Sequence, residues 1–497
     1  MPRHPISMTR RQLLAGVAVS VTALSLPAIA RAQKIEADGF RILRAKAAGS
    51  ARLRGEAATA TPIWGYDGTA PGPLLRVRQG EELKVRLVNE LPQPTVIHWH
   101  GLRLPNAMDG VPHLTQMPVK PGDSFDYRFV APDAGTFWYH THERSSEQQA
   151  RGLYGVLIVD EREPIAVDRE IVLVVDDWRL ADDGSIHQSF GNFHDAAHAG
   201  RLGQYLTLNS EDFLNVPLKA NERVRVRLIN TANSRVFTLR FDRHAPQVVA
   251  LDGQPAKPYA ARNGAVTLGP GNRADLILDA TLAPGAKAAI MVDDLRGGEI
   301  ELGRLAYADG APFRKEPLSG PITLPANPLP EKLDLANALR VDVPLDGGAM
   351  AMMMRGGGMG GGMGGGMGGG MGGGMMGPGQ FGGHGLEPRQ RIWALAGMSS
   401  SGHDGPPLFS VKRGRTVVLD FPNRTAFAHA MHIHGHHFRL LDRDGTSHAP
   451  IWLDTVLVDV RDSARIAFVA DNPGKWMIHC HMLEHMAAGM AAWFEVT

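Results

Sequence analysis

Apolar and polar residues alternate along much of the chain. Leu83-Lys84-Val85-Arg86-Leu87 and Val224-Arg225-Val226-Arg227-Leu228 put an apolar side chain at every second position, the period of a strand with one face on a core and one toward water. Both are expected to be half-buried strands. Each lies between a turn and an asparagine, and the pattern occurs three times: Val77-Arg78-Gln79-Gly80 through Asn89, Leu218-Lys219-Ala220-Asn221 through Asn230, and Val411-Lys412-Arg413-Gly414 through Asn423. In every copy the turn residue stands nine positions before the asparagine. Three copies predict three similar β-domains. The turns are 141 and 193 residues apart, and leaving out residues 350 to 385 shortens the second interval to 157. The repeat is then nearly even, and the third copy carries an insert.

A second repeated piece fixes the register. Gly135 precedes His140 by five residues and Gly474 precedes His479 by five, whereas the middle copy runs from Gly285 to Ile290. Asn89 leads by nine residues to His98 and Asn423 by nine to His432, but Asn230 leads to Leu239. The middle domain therefore keeps the scaffold without the histidines. Boundaries are placed in Pro-bearing segments near 165 and 320, giving domains 33–165, 166–320 and 321–497, with the insert at 350–385. Gly 58 and Pro 34 in 497 residues agree with an all-β chain. The net charge of +1 leaves no electrostatic footprint for nucleic acid or an anionic membrane, so partners are expected to be small molecules and the protein a monomer.

Residues 1–32 contain Arg10-Arg11, an uncharged apolar run to Ala30, and two small-residue cleavage patterns, Ala28-Ile29-Ala30 and Ala30-Arg31-Ala32. This resembles a twin-arginine export signal, implying a periplasmic or otherwise exported protein with no membrane span after cleavage. Exported chains usually pair their cysteines, yet Cys480 is alone in the sequence.

Cys480 is flanked by His479 and His481 and followed by His485 and Met490. On a strand, His479 and His481 face one way and Cys480 the other, so one segment could serve two metal sites. Cys, His and a weak axial Met make up most of a blue-copper centre. His429, expected just outside the strand that carries His432, supplies the second histidine, giving His429, Cys480, His485 and Met490. Four i, i+2 pairs also stand in the first and third domains: His98-Trp99-His100, His140-Thr141-His142, His432-Ile433-His434 and His479-Cys480-His481. Eight imidazoles are too many for one ion and suit three coppers at the interface of those two domains.

These four motifs, His-Trp-His-Gly at 98–101, Trp-Tyr-His-Thr-His at 138–142, His-Ala-Met-His-Ile-His-Gly at 429–435 and His-Cys-His-Met-Leu-Glu-His-Met-Ala-Ala-Gly-Met at 479–490, resemble those of three-domain multicopper oxidases, the class of laccases and periplasmic copper-efflux oxidases. The resemblance implies three consecutive cupredoxin-like Greek-key barrels and four copper ions. His429, Cys480, His485 and Met490 would hold type 1 copper, with Cys480 carrying electrons. His98 and His432 would hold type 2, and His100, His140, His142, His434, His479 and His481 the type 3 pair. Asp109, nine residues after His100, stands where the family has a carboxylate that supplies protons to oxygen. Departures are Met486 where copper-efflux oxidases often have an acid after the second type 1 histidine, and Ala430 in place of the usual Pro.

The insert holds Met350, Met352, Met353, Met354, Met359, Met363, Met367, Met371, Met375 and Met376, largely as Met-Gly-Gly-Gly repeats that cannot fold into a core. It is expected to be disordered, serving as a linker or, because thioethers prefer Cu(I), as a collector of cuprous ions. It resembles the methionine-rich insert of copper-efflux oxidases, but Thr425 and Phe427 replace the Asp and Met of that family's cuprous site. The expected activity is four one-electron oxidations of substrate, Cu(I) in copper tolerance or alternatively phenols and aromatic amines, coupled to reduction of O2 to two waters. Metal-free scaffold proteins of similar architecture lack the ligands, and a nitrite reductase has no use for four His-x-His pairs. His187, His194, His198, His384 and His403 are expected to be solvated loop residues.

Overall fold

The computed structural model describes residues 35–55, 57–294, 297–349 and 391–497. The signal segment, the methionine tract and His384 lie outside the described residues. Secondary structure is almost entirely β, arranged in three successive groups of strands. Each group has two main sheets, each with a parallel pair, and the third adds a small antiparallel sheet of Leu345–Gly347 with Trp393–Leu395. Arg41–Ala51 runs parallel to Glu82–Glu90 and Gly72–Arg78 to Tyr154–Asp160 in the first. The second pairs Arg169–Trp178 with Arg223–Asn230 and Leu214–Leu218 with Glu299–Tyr307. The third pairs Leu339–Asp342 with Thr416–Pro422 and Ser410–Val411 with Ala491–Val496. No helix among the described residues is long and apolar enough to cross a membrane.

The sequence repeat has a physical basis in this scaffold. Gly80, Asn221 and Gly414 all have positive φ, at 86°, 63° and 85°, a region that favours Gly and tolerates Asn. Nine residues on, each asparagine is buried and ties the loop after its strand to a neighbouring segment. Asn89 donates through Nδ2 to Gln93 O and Val119 O and accepts from Leu91 N–H. Asn230 donates to Arg235 O and Leu268 O and accepts from Ala232 N–H. Asn423 donates to Phe427 O and Asp459 O and accepts from Thr425 N–H.

One local expectation requires correction. Glu82–Glu90 alternates between buried and half-buried positions, with exposed ends, as its pattern predicts, but Arg223–Asn230 is buried at every position. Its polar face lies against the first domain. Arg225 binds Asp275 and Glu161, and Arg227 binds Thr136, Asp275 and Glu170, which offsets the cost of several kcal/mol of burying each charge. In the middle domain, Leu239 and Ile290 occupy the positions of His98 and His140 in the repeat. Where His98 pairs with His140 and His432 with His479, however, Leu239 pairs with Val292 and Ile290 with Phe241, a register two residues different.

The apolar cores of the first and third domains merge into one cluster that includes Trp99, Phe137, Met431, Trp476 and Cys480, while the second domain packs around its own. Polar contacts join the outer domains along the same seam: Asn106 Nδ2 donates to Lys475 O at 2.6 Å and Asn472 Nδ2 to Leu104 O at 2.9 Å.

Candidate metal centres

The strands His98–His100 and Gly135–His140 of the first domain, and His429–Ile433 and Gly474–Cys480 of the third, carry the histidine motifs. Cross-strand partners share a face, so the pairs His98 with His140 and His432 with His479 set imidazoles side by side. The third-domain strand begins at His429 itself, so this residue does not leave the strand as its spacing suggested. Strand alternation does the same work: His429 and Met431 face one side, and His432 faces the other. Met431 lies opposite Cys480, which places Cys480 on the His429 side.

On that side, His429 Nδ1 and His485 Nδ1 are 3.1 Å apart and lie 3.6 and 3.8 Å from Cys480 Sγ. All three residues are buried. The outer nitrogens fix the tautomers: His485 Nε2–H donates to His198 O at 2.6 Å, and His429 Nε2 meets Thr425 Oγ1 at 2.8 Å. Thr425 Oγ1 in turn donates to Asn423 Oδ1, so the asparagine pin of this domain also orients a ring. Met490 is buried, and its carbonyl accepts from Cys480 N–H, holding its backbone beside the cysteine. Burial pushes the Cys480 thiol up to about 12 and His485 down to about 4. Trp393 packs over His485 at 4.3 Å between ring centroids.

On the other side, eight buried histidines converge. His98, His100 and His432 form one group of nitrogens within 4.8 Å of one another, His100, His140 and His481 a second, and His142, His434 and His479 a third. Here too the outward nitrogens are engaged by acceptors. His98 Nδ1–H donates to Asp109 O, His432 Nδ1–H to Asp454 O, His140 Nδ1–H to Thr141 O and His479 Nδ1–H to Cys480 O, all at 2.8–2.9 Å. A carbonyl can only accept, so Nδ1 carries the proton and, in the neutral ring, the inward Nε2 carries the lone pair. The inward nitrogens of His98, His140 and His432, with His100 Nδ1 and both nitrogens of His481, are buried with no protein partner. His434 Nε2 and His479 Nε2 lie 3.0 Å apart, lone pair toward lone pair. Orphaned, converging acceptors of this kind suit cations between them. Burial, helped by neighbouring imidazoles, lowers His140, His142, His434, His479 and His481 well below the usual range, so the rings are neutral and available as ligands.

Asp109 is buried between the two motifs, 2.9 Å from His434 Nδ1 and 3.3 Å from His98 Nδ1. A second carboxylate went unnoticed in the sequence. Asp454 Oδ1 lies 3.1 Å from His100 Nε2, and Arg273 of the middle domain clamps the carboxylate at 2.9 and 2.6 Å. Burial opposes its ionisation, but Arg273 and His100 hold it well below the usual carboxylate range. The available signal was an acid inside the strand-like run Ile451–Val458. Glu484, beside His485, accepts from Asn233 and Ser234 of the middle domain, while Met486 lines a cavity of about 160 Å³ with His113, His142, Glu143 and His403. Of the histidines expected in solvent, His187 and His194 are exposed, while His198 and His403 are half-buried, His403 in this cavity wall.

Three family models, each described as Multicopper oxidase, match residues 49–164, 170–304 and 384–497. The chain belongs to the multicopper oxidase family. It is similar to Multicopper oxidase MmcO of Mycobacterium tuberculosis, 29% identical over 86% of this chain and 81% of the relative. Laccase-1 of Botryotinia fuckeliana is 28% identical over 87% of this chain and 78% of its own length. The crystal structure of a multi-copper oxidase from Pseudomonas Thermotolerans superposes with a TM-score of 0.76 at 32% identity, covering 92% of this chain and 99% of that one. Other relatives are named laccase or copper resistance protein A. The three strand groups are thus cupredoxin-like domains, and the protein is an oxidoreductase whose family implies copper.

Proposed function

We propose that the protein is an exported oxidase that couples four one-electron oxidations of its substrate to reduction of O2 to two waters, and that His429, Cys480, His485 and Met490 would hold a type 1 copper. His98 and His432 would hold the type 2 ion, and His100, His140, His142, His434, His479 and His481 the type 3 pair. The observation that carries this reading is the convergence of orphaned, neutral, tautomer-fixed nitrogens on one side of a strand whose other side presents Cys480. When bound, the coppers supply one-electron redox chemistry and sites for oxygen.

The chain's own residues do the rest. Carbonyls of Asp109, Thr141, Asp454 and Cys480 hold four rings with their lone pairs inward, so little reorganisation is needed when charge changes. Cys480 joins the two sites through its own main chain, because its neighbours His479 and His481 belong to the other cluster. Asp109 is placed to hold and deliver protons beside His98 and His434. The cavity ending at His142 offers a path for oxygen and water.

The favoured donor is Cu(I), in copper tolerance, with the methionine tract 350–376 as its collector. Thr425 and Phe427 weaken that preference at the type 1 entrance, and relatives named laccase support phenols as the alternative. Oxygen uptake with Cu(I) or a phenol as sole donor separates the two. Faster uptake with Cu(I), reduced when the ten methionines become Ser, supports the cuprous reading; equal kinetics for both proteins at limiting Cu(I) would favour the laccase-like one.

A further inference from the structure

Eight histidines buried in a folded protein need a way in for their metal. Seven of the eight are at most 1% exposed, and His142 reaches 7%. His142 also lines the cavity of about 160 Å³ whose wall includes the exposed His113. The cluster therefore meets open space at His142. None of the four type 1 ligands lines this cavity.

The walls carry metal donors from two domains. His113 of the first domain holds a positive φ of 63° in a turn closed by its N–H to Gln116 O at 2.8 Å. His403 of the third faces it, with ring centroids 5.2 Å apart and planes tilted by 43°. The rings are not stacked in parallel, and two imidazoles sharing one three- or four-coordinate ion have centroids about 5–6 Å apart. Gly402, before His403 in the chain, has φ 88° and lies against the Met477 thioether, where a Cβ would stand 2.1 Å from Cε. Met477 and Met486 line the same cavity, and imidazole with thioether suits Cu(I). Glu147 is not counted as a donor, because Arg144 and Arg151 hold its carboxylate at 2.7 and 2.9 Å. At the inner end, His142 Nε2 lies 3.4 Å from His479 Nε2, within the group His142, His434 and His479.

We propose that this cavity is the route by which copper enters the eight-histidine cluster, with His113 and His403 as the pair that takes the ion first. This rests on the oxidase reading above, in which the cluster holds three coppers. His113 and His403 bind Cu(I) at the outer wall, Met477 and Met486 offer sulfur within, and His142 receives the ion. Capture by the histidine pair makes the later transfer intramolecular, which raises the effective concentration of the ion at His142. The ion is bound and released without change of oxidation state. The type 1 site fills by another path, since its ligands lie on the other face of the strand.

The test follows uptake of Cu(I) by the folded, full-length apoprotein without oxygen, with bound copper counted at intervals and the blue band read after exposure to air. Substituting both residues, His113→Ala with His403→Ala, should slow filling of the cluster about tenfold or more, with type 1 filling at the parental rate and the same final copper content. A merely steric passage would be widened by these truncations and would fill at least as fast. His113→Met with His403→Met restores soft donors and should recover the parental rate. The single variant His113→Ala, at an exposed residue, should show the same ordering with a smaller effect. An Ala variant whose cluster fills as fast as its parent's, one that slows both sites equally, a Met variant as slow as the Ala one, or a parent that fills only when refolded with copper overturns the route. A parent that binds no copper even on refolding with it would be a failure of the oxidase reading, and the route would fall with it.

Discussion

The middle domain and the two outer domains share one scaffold and differ in what lies against it. In the middle domain, Phe237–Phe241 and Lys287–Asp293 alternate between buried and more exposed positions, as strands covered on one face should. Their outer-domain counterparts, His98–His100, Gly135–His140 and His429–Ile433, are buried throughout. The extra burial comes from the two outer domains closing on each other, and the histidines occupy the faces so enclosed. The middle domain contributes buried polar support instead: Arg273 to Asp454, Asp252 to the backbone N–H groups of Asp454 and Thr455, and the His198 carbonyl to His485. The candidate ligands lie where two copies of the repeat meet, and the copy without them supplies their buried polar support.

If that division of labour is right, disturbing the support should be costly. Arg273→Ala leaves Asp454 buried without its cation, and the protein should lose about 3–5 kcal/mol of stability, read as a lowered midpoint in denaturant. A loss under about 1 kcal/mol, the range of an exposed pair, would make the middle domain a passive spacer.

Asp109→Asn tests an outer-domain residue for chemistry. It should slow reoxidation of the reduced enzyme by O2 about a hundredfold through lost proton supply, while reduction of type 1 copper by substrate is unchanged. Slowing of substrate reduction instead would assign Asp109 to structure or to the other site.

The asparagine pins compare the domains directly. Asn230→Ala and Asn423→Ala should each cost about 1–3 kcal/mol, because buried backbone groups lose their partners. Only Asn423→Ala should also shift the blue band, since Asn423 positions Thr425 and through it His429. Equal spectra for the two variants would detach the pin from the metal site. The smallest effect is expected from Met490→Leu, which should retain the colour and raise the type 1 potential by removing a weak donor. A redox titration showing no change, or a fall, would remove Met490 from the site.

Much of this organisation is legible in the sequence because its causes are local. The positive-φ turns favour Gly or Asn, and the asparagine pins sit at a fixed distance from them, so the repeat is visible as spacing. The side taken by Cys480 follows from strand alternation alone. What lay hidden depends on contacts between domains. Arg225 and Arg227 look like a solvent face until the first domain covers them. Asp454 has no local motif and meets its partners only across domains, where His100 and Arg273 come from the other two. His198 acts through its carbonyl, which no residue type announces. The two-residue register difference at Leu239 is also invisible, since the flanking repeat is intact.

The central claim is that one strand serves two metal sites through its two faces, with Cys480 belonging to only one of them. Copper content and the visible spectrum of the folded Cys480→Ser protein test it most directly. The account predicts loss of the blue band, loss of one copper of four, retention of the three bound by the eight histidines, and no oxidase activity. A serine variant that remains blue and active, or one that loses all four coppers while still folded, would contradict it.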